Sequence, residues 1–386
     1  MHLLSIVTAV ATVASIGYYV LCFYAAHDFT STKSTAPTFA PGASILKPLR
    51  GADPDMYAAF RSHCFQDYSE YELIFGVSDP ADPAAELVTR LKSEFPDHAI
   101  KLVICDRLLG PNGKVSNLAH MLPHARYDHL IVNDSDIKVP PDYLHRVLAP
   151  FADPHIGMVT CLYRGIAGKT LGSQLESIGI ATDFSAGVLA ARLLQGVKFG
   201  LGSTLAFRRA DLAQIGGFES LVDYLADDYQ IGARIAALGK QVIVSDVVVD
   251  HHLPGYAFGG FLTHQIRWAR AIRDSRPLDY LGLAATFGVP WSLFTVLFAR
   301  GAEWSLLLLC TVFVTRFALA AKMSRVLHQS LSLSDYLLIP HRDVAALFVW
   351  IASFFGHTIH WRGLKFQLKD GKLMKSNGHE QTANNR

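Results

Sequence analysis

His129-Leu130-Ile131-Val132-Asn133-Asp134-Ser135-Asp136 runs a short strand-like segment straight into two carboxylates one residue apart. Upstream, short apolar runs alternate with helical patterns: 44–49 before 54–65, 71–77 before 84–95, 100–105 before 115–122, and 129–132 itself before 141–149. Continuously apolar strands separated by helices belong to a mostly parallel sheet covered on both faces. Ligands of such α/β sheets bind beyond the carboxyl ends of the strands. The carboxylates of this chain stand there.

Asp134 and Asp136, on a strand-end turn, can point at one cation, and hard oxygen ligands suit Mg²⁺ or Mn²⁺ bridging a diphosphate. A plain solvated turn has the same spacing. Asp79 closes the second run in Gly76-Val77-Ser78-Asp79. It fits hydrogen bonds to a uracil or ribose, and equally an N-cap for a helix starting near Pro83. Lys114 and Asn117 open the helix after the third run, where amides and a cation can meet a nucleotide or a helix can simply be capped. Asp227-Asp228 precedes Tyr229-Gln230-Ile231-Gly232. A carboxylate at a helix start is stabilised as the anion, and one held near a hydroxyl can take its proton; one of the pair can also be only the cap.

The second half carries a helical pattern over 171–194, a Gly-rich segment 199–207, a helix over 227–238, a strand over 241–249 and an aromatic, basic segment 258–276. In the last, Arg267 can grip a diphosphate with its planar fork and Trp268 can stack on a sugar or lie at headgroup level. The other reading is a membrane-surface helix whose Arg270, Arg273 and Arg276 bind anionic lipids. Asp250-His251-His252 offers a metal ligand or merely closes a strand.

Hydrophobic residues make up 51% of the 386, and they are concentrated. Residues 3–26 carry no charge and are long enough to cross roughly 30 Å of hydrocarbon. Only Met1 and His2 precede them, so an uncleaved anchor fits better than a signal peptide. Residues 281–299, 304–321 and 344–359 are also apolar, and at least two of these runs are expected in the membrane. The expected organisation is an anchor (1–27), a Ser/Thr/Pro-rich linker (28–43), a soluble domain (44–276), membrane segments (277–361) and a basic, polar tail (362–386). Lys plus Arg number 35 against 33 Asp plus Glu, a net charge of +2 that gives no field for a nucleic acid. Five cysteines, odd in number and without a C-x-x-C pair, suggest neither a disulfide framework nor a zinc knuckle, and the soluble part is expected in a reducing compartment. The segment from Leu46 to Asp53 lacks G-x-G-x-x-G, which argues against a nicotinamide dehydrogenase. A transporter would carry its polar groups inside the spans, whereas these lie in the soluble region.

In chain order, Asp79, Asp134-Ser135-Asp136, Asp228 and Arg267-Trp268 resemble the D, D-x-D, D, (Q/R)-x-x-R-W series of GT-A glycosyltransferases. More closely, Ile45-Leu46-Lys47-Pro48-Leu49-Arg50-Gly51, Tyr71-Glu72-Leu73-Ile74-Phe75, Lys114-Val115-Ser116-Asn117-Leu118 and Ala226-Asp227-Asp228-Tyr229 are similar to ceramide glucosyltransferases and their bacterial relatives, the hopanoid-biosynthesis glycosyltransferases among them. The resemblance covers residues 44 to 273. It implies the GT-A nucleotide-diphospho-sugar transferase fold with transmembrane helices at both ends. It also implies that Asp79 and Asp134 hold uridine and ribose, with Lys114 and Asn117 on the donor side, that Asp136 holds Mg²⁺ or Mn²⁺, and that Asp228 is the general base. Gly202, Ser203 and Thr204, in Phe199-Gly200-Leu201-Gly202-Ser203-Thr204, would face the acceptor, and Arg267 with Trp268 the donor diphosphate. His264 stands where the family usually has Gln or Arg, and no catalytic role is assigned to it.

The implied reaction is a single, inverting displacement from a UDP-sugar to a lipid hydroxyl, either glucose to ceramide or N-acetylglucosamine to bacteriohopanetetrol. A catalytically inactive sugar-nucleotide-binding membrane protein is the other reading, and retention of all four acidic positions argues against it. The expected setting is a bacterial inner membrane with the domain in the cytoplasm, where UDP-sugars are made. Arg267, Arg270, Arg273 and Arg276 agree with the positive-inside rule. A third crossing at 344–359 would send Arg362, Lys365, Lys369, Lys372 and Lys375 outside, so that run is expected to be re-entrant or interfacial.

Overall fold

In chain order the main strands are β1 (Ala43–Pro48), β2 (Tyr71–Val77), β3 (Ile100–Ile104), β4 (His129–Val132), β5 (Ile137–Lys138), β6 (Ile156–Ile166), β7 (Leu205–Arg208) and β8 (Gln241–His252). The computed structural model, which describes residues 2–31, 39–53, 55–361 and 364–375, joins them in one sheet of order β3-β2-β1-β4-β7-β6-β8-β5. The first four strands in that order run parallel, β8 runs parallel to β6, and β7 and β5 are antiparallel to their neighbours. β1 is buried at all six positions, as a strand covered on both faces must be. Leu46 lies opposite Ile74 on one side and Val132 on the other, so the carboxyl ends of β1, β2 and β4 are level. That register brings the turns after β2 and β4 to one edge of the sheet.

The strand-helix alternation read from the sequence does not reach residues 156–166, yet β6 is an eleven-residue strand. The helix Tyr143–Leu148 and a short 3-10 turn, Ala149–Ala152, lead into it. The helix Pro83–Glu94 takes Pro83 at its first position and is capped by Asp82, which accepts the Ala84 N–H at 2.9 Å and contributes about 1 kcal/mol. The capping alternative for Asp79 is therefore corrected: Asp82 fills that role.

Among the described residues three helices are long and apolar enough to cross a membrane: Leu3–Ser31, Leu171–Gln195 and Glu303–Val326. Along the first, Thr12, Ser15 and Tyr19 are buried while Leu3, Ile6 and Val10 are exposed. Thr12 meets the Thr295 hydroxyl at 3.1 Å and Ser15 donates to the Ala285 carbonyl at 2.7 Å, the polar packing expected where hydrocarbon offers no alternative partner. The expected continuous run over 281–299 is corrected to a pair, Pro277–Thr286 and Gly288–Phe298, bent by 57°. Pro290 lies in the first turn of the second helix, where its ring cannot continue the preceding turn. The run at 344–359 is divided: residues 344–353 complete the helix Leu333–Ser353, and 358–359 open a strand.

Arg316, in the middle of Glu303–Val326, is fully buried. It grips Asp343 with two hydrogen bonds of 2.9 and 2.8 Å, and also meets Asp183 Oδ1 at 2.9 Å and the Thr182 carbonyl at 3.1 Å. Asp183 lies in a π-helical widening, Ile180–Phe184, and pairs in turn with Arg342. These ion pairs lock the helix through residues 171–195 to the C-terminal helices, and removing one partner of such a buried pair costs about 3–5 kcal/mol.

The anticipated tail at 362–386 needs revision in its described part. Strands β9 (Thr358–Trp361), β10 (Leu364–Lys369) and β11 (Lys372–Lys375) form a small antiparallel sheet. It docks on residues 223–225: Leu225 N–H donates to the Gly371 carbonyl at 3.1 Å and Leu373 N–H to the Asp223 carbonyl at 2.7 Å. Residues 364–375 are thus hydrogen-bonded to the domain that carries the main sheet. Arg362, residues 376–386 and linker residues 32–38 fall outside the described residues.

Candidate active site

The turn after β4 rests on a buried lysine. Lys47, next to last in β1, is fully buried, and its Nζ donates to the Asp134 carbonyl at 2.9 Å. Burial pulls its ammonium down to about 7, against the opposing pull of the Asp136 and Asp134 carboxylates. Sequence reasoning missed this residue as part of the site. The signal was a charge inside an otherwise apolar strand, Ile45-Leu46-Lys47-Pro48.

Lys114, 12% exposed, stands between two carboxylates, 2.8 Å from Asp134 Oδ1 and 3.2 Å from Asp227 Oδ2. Burial works against its charge, but Asp134, Asp227 and Asp228 together outweigh burial and raise its pKa. Neither acid of the Asp227-Asp228 pair is the cap of its helix, as the sequence allowed. Ala226 holds that position without a side-chain cap, and both acids sit in the first turn of Asp227–Ala237. Asp227 is buried, pairs with Lys114 and accepts from Asn112 Nδ2 at 3.4 Å. Asp228 is half-buried; its Oδ1 accepts the Tyr229 N–H at 2.7 Å and its Oδ2 the Gly202 N–H at 3.0 Å. Burial and the neighbouring Asp227 charge push its carboxyl up to about 6, with Lys114 and the Tyr229 N–H pulling the other way.

Asp136 points to the other side of the turn, where its Oδ2 lies 3.0 Å from His251 Nε2 at the end of β8. Its Oδ1 is buried with no hydrogen-bond partner among the described residues. Burial raises the Asp136 carboxyl, but His251 and Lys47 outweigh it and hold it below the usual range. Burial lowers the His251 imidazole, yet the Asp136 carboxylate carries it up to about 9. His251 is therefore more than a strand terminator.

Other expected site residues are placed differently. Asp79 is exposed at the end of β2, where its Oδ1 closes a turn by accepting the Ala81 N–H at 2.9 Å. Asn117 is buried: its Oδ1 accepts from Ser78 Oγ at 2.8 Å and its Nδ2 reaches the Gly76 carbonyl at 3.4 Å, so its amide ties β2 to the helix Gly113–Met121. Ser203 and Thr204 are corrected as acceptor-facing side chains. Ser203 Oγ donates to the Cys161 carbonyl at 3.0 Å, and Thr204 Oγ1 lies in a buried set with Asn133 and Tyr143. Gly202 alone of the three meets the acids: a Cβ there would come within 2.9 Å of Asp134 Oδ2 and 3.4 Å of Asp228 Oδ2.

Arg267 and Trp268 lie half-buried on the helix Phe258–Ser275. The Trp268 ring sits between Phe184 and His264, with centroids 6.5 and 4.9 Å away. Arg270 and Arg273 hold the backbone carbonyls of Thr358, Phe355, Ser353 and Gly356, and Arg276 pairs with Asp279. These contacts correct the alternative in which the three arginines serve lipid headgroups only.

Comparison with known proteins places the chain among glycosyltransferases. The profile of glycosyl transferase family 21 matches residues 7–374. Ceramide glucosyltransferase 1 of Caenorhabditis elegans is 23% identical over 377 residues, covering 93% of this chain and 78% of its own. Ceramide glucosyltransferase 3 of the same organism is 24% identical over 391 residues, covering 95% and 83%. Among solved structures, the mannosyltransferase PcManGT from Pyrobaculum calidifontis, in complex with GDP-Man and Mn²⁺, superposes with a TM-score of 0.58 at 19% identity over 91% of this chain and 99% of its own. That likeness establishes the GT-A fold.

Proposed function

The chain belongs to glycosyl transferase family 21, and from that premise we propose that it is an inverting hexosyltransferase moving a sugar from a UDP-sugar to a lipid hydroxyl. One observation carries the reading: Asp134, Asp227, Asp228, Lys114 and the Gly202 N–H converge at one edge of the sheet. Asp228, with its carboxyl pushed up to about 6, has the strength of a base that works near neutral pH. It takes the proton of the lipid hydroxyl as that oxygen attacks the anomeric carbon. The bond from that carbon to the diphosphate oxygen breaks, its electron pair leaves with UDP, and the configuration inverts. Asp79 and Asp134 are the proposed contacts to uridine and ribose, Lys114 and Asn117 support the donor side, and Arg267 with Trp268 would meet the diphosphate.

The residues fit a hard cation. Asp136 Oδ1 is buried and lacks a hydrogen-bond partner among the described residues. No group of three or more His, Cys, Asp or Glu among those residues is arranged to hold a metal by itself. One or two carboxylates completed by phosphate oxygens and water is the shell Mg²⁺ commonly takes. An ion bound at Asp136 would supply positive charge against the departing diphosphate.

The helices described above support an integral membrane protein, with the domain proposed on the cytoplasmic side of a bacterial inner membrane. The relatives make glucose and ceramide the first pair to test, with N-acetylglucosamine and bacteriohopanetetrol beside them. The full chain, purified in detergent, is to be incubated with labelled UDP-glucose or UDP-N-acetylglucosamine and a lipid panel. A β-linked glycolipid formed from the α-linked donor supports the reading. Donor binding without transfer to any lipid overturns it in favour of an inactive sugar-nucleotide-binding protein.

A further inference from the structure

Beside the carboxylates lies a second set of side chains, of which only Trp268 has a part in the transfer step. From His251, which touches Asp136, ring contacts run through Tyr163 (centroids 5.4 Å apart), Phe184 (5.3 Å), Trp268 (6.5 Å), His264 (4.9 Å) and Tyr256 (6.0 Å). Glu176, 2% exposed, is buried against this chain of rings. His264 Nδ1 lies 3.2 Å from its Oε2 in a hydrogen bond and 3.0 Å from its Oε1 without hydrogen-bond geometry. Glu176 Oε1 has no hydrogen-bond partner among the described residues, and neither has the buried Tyr256 Oη.

Buried polar atoms are nearly always hydrogen-bonded, so an orphaned oxygen on a carboxylate this deeply buried marks a place for a ligand. An ionised carboxylate only accepts, so the group that completes Glu176 must be a donor. The location narrows the ligand further. Glu176 sits on the helix Leu171–Gly179, which leads directly into the widening whose Asp183 pairs with Arg316 of the membrane helix. One end of the ring chain is thus at the catalytic carboxylates, and its flank is against the membrane-embedded helices.

Resting on the functional reading above, we infer that Glu176 and His264 are the acceptor-recognition pair. They bind a hydroxyl or amide N–H that the lipid head group carries beside the attacked hydroxyl, while Tyr163 and Phe184 pack against the first carbons of the tail. A site built to hydrogen-bond a substrate group discriminates strongly against the analogue that lacks it.

The test pairs Glu176→Gln in the full chain with two acceptors: an N-acyl amino-diol lipid, and its N-methyl, O-methyl analogue whose only free hydroxyl is the attacked one. The unaltered chain is expected to favour the first about tenfold or more in kcat/KM, and Glu176→Gln to collapse that preference toward one through acceptor KM, with the UDP-sugar KM moving less than about threefold. Retention of the preference overturns the inference. So does an equal loss with both acceptors accompanied by a rise in the UDP-sugar KM, because that is what a purely structural ion pair predicts. Should Glu176→Gln fail to fold, His264→Gln carries the same test with the same outcomes. If the unaltered chain glycosylates neither lipid nor any other in the panel, the functional reading itself fails, and that result is visible before any variant is made.

Discussion

Asp228 Oδ2 accepts the backbone N–H of Gly202 at 3.0 Å across a separation of 26 residues. The contact fixes one carboxylate oxygen against a loop too tight for a side chain and leaves that oxygen a second lone pair for an incoming proton.

Asp228→Asn is expected to lower transfer by about 10²–10⁴-fold, the usual range for losing a general base, because the amide keeps the shape and loses the basicity. Titration of the variant with UDP-sugar should give an affinity within a few-fold of the unaltered chain. A comparable loss of donor affinity would contradict the base role.

The carboxyl of Asp228 is raised to about 6, so its basic form is complete above that pH and is lost as pH falls through it. A plot of log kcat/KM against pH should therefore rise with unit slope below about 6 and level off above. A flat profile between pH 5 and 7 would exclude Asp228 as the titrating base.

Mg²⁺ or Mn²⁺ is expected to be required, and Asp136→Ala should remove the metal response together with the activity, since hard oxygen ligands are what this turn presents. The check is transfer activity in excess chelator followed by metal add-back. Full turnover in chelator contradicts the prediction.

Gly202→Ala places a methyl 2.9 Å from Asp134 Oδ2 and 3.4 Å from Asp228 Oδ2. A displacement of that size in the reacting geometry should cost roughly ten- to a hundredfold in kcat. The same variant should melt within a few degrees of the parent, because the strain falls on side chains at the edge of the sheet. An unchanged kcat would mean that the loop is not part of the reacting geometry.

An alkaline phosphatase reporter fused after Lys375 should be inactive when the chain is expressed in bacteria. Residues 371–373 are hydrogen-bonded to residues 223–225 of the soluble domain, so the C-terminal strands share its side of the membrane. Strong phosphatase activity would reverse the assigned topology.

Much of the fold is legible in the sequence. Apolar runs at 71–77 and 129–132 coincide with β2 and β4, because side-chain periodicity and backbone sterics act between near neighbours. Strand-end acids such as Asp134 and Asp228 are equally visible as a residue type at a chain position. The broken helix at 277–298 and the strand β6 are less so, since each depends on what lies beside it rather than on its own pattern.

By itself, then, the sequence determined the parallel strands β1 to β4, the long apolar N-terminal helix and the identity of the acids. Only the tertiary structure decided that Lys47 lies under the Asp134 turn, that His251 meets Asp136, that Ser203 and Thr204 turn inward, and that Glu176 Oε1, beside His264, has no hydrogen bond among the described residues. These pairings join residues far apart in the chain. They follow from strand order and helix crossing, and the free energy of burying charge that enforces them is set by the whole packed domain, so no local stretch of sequence carries their signature.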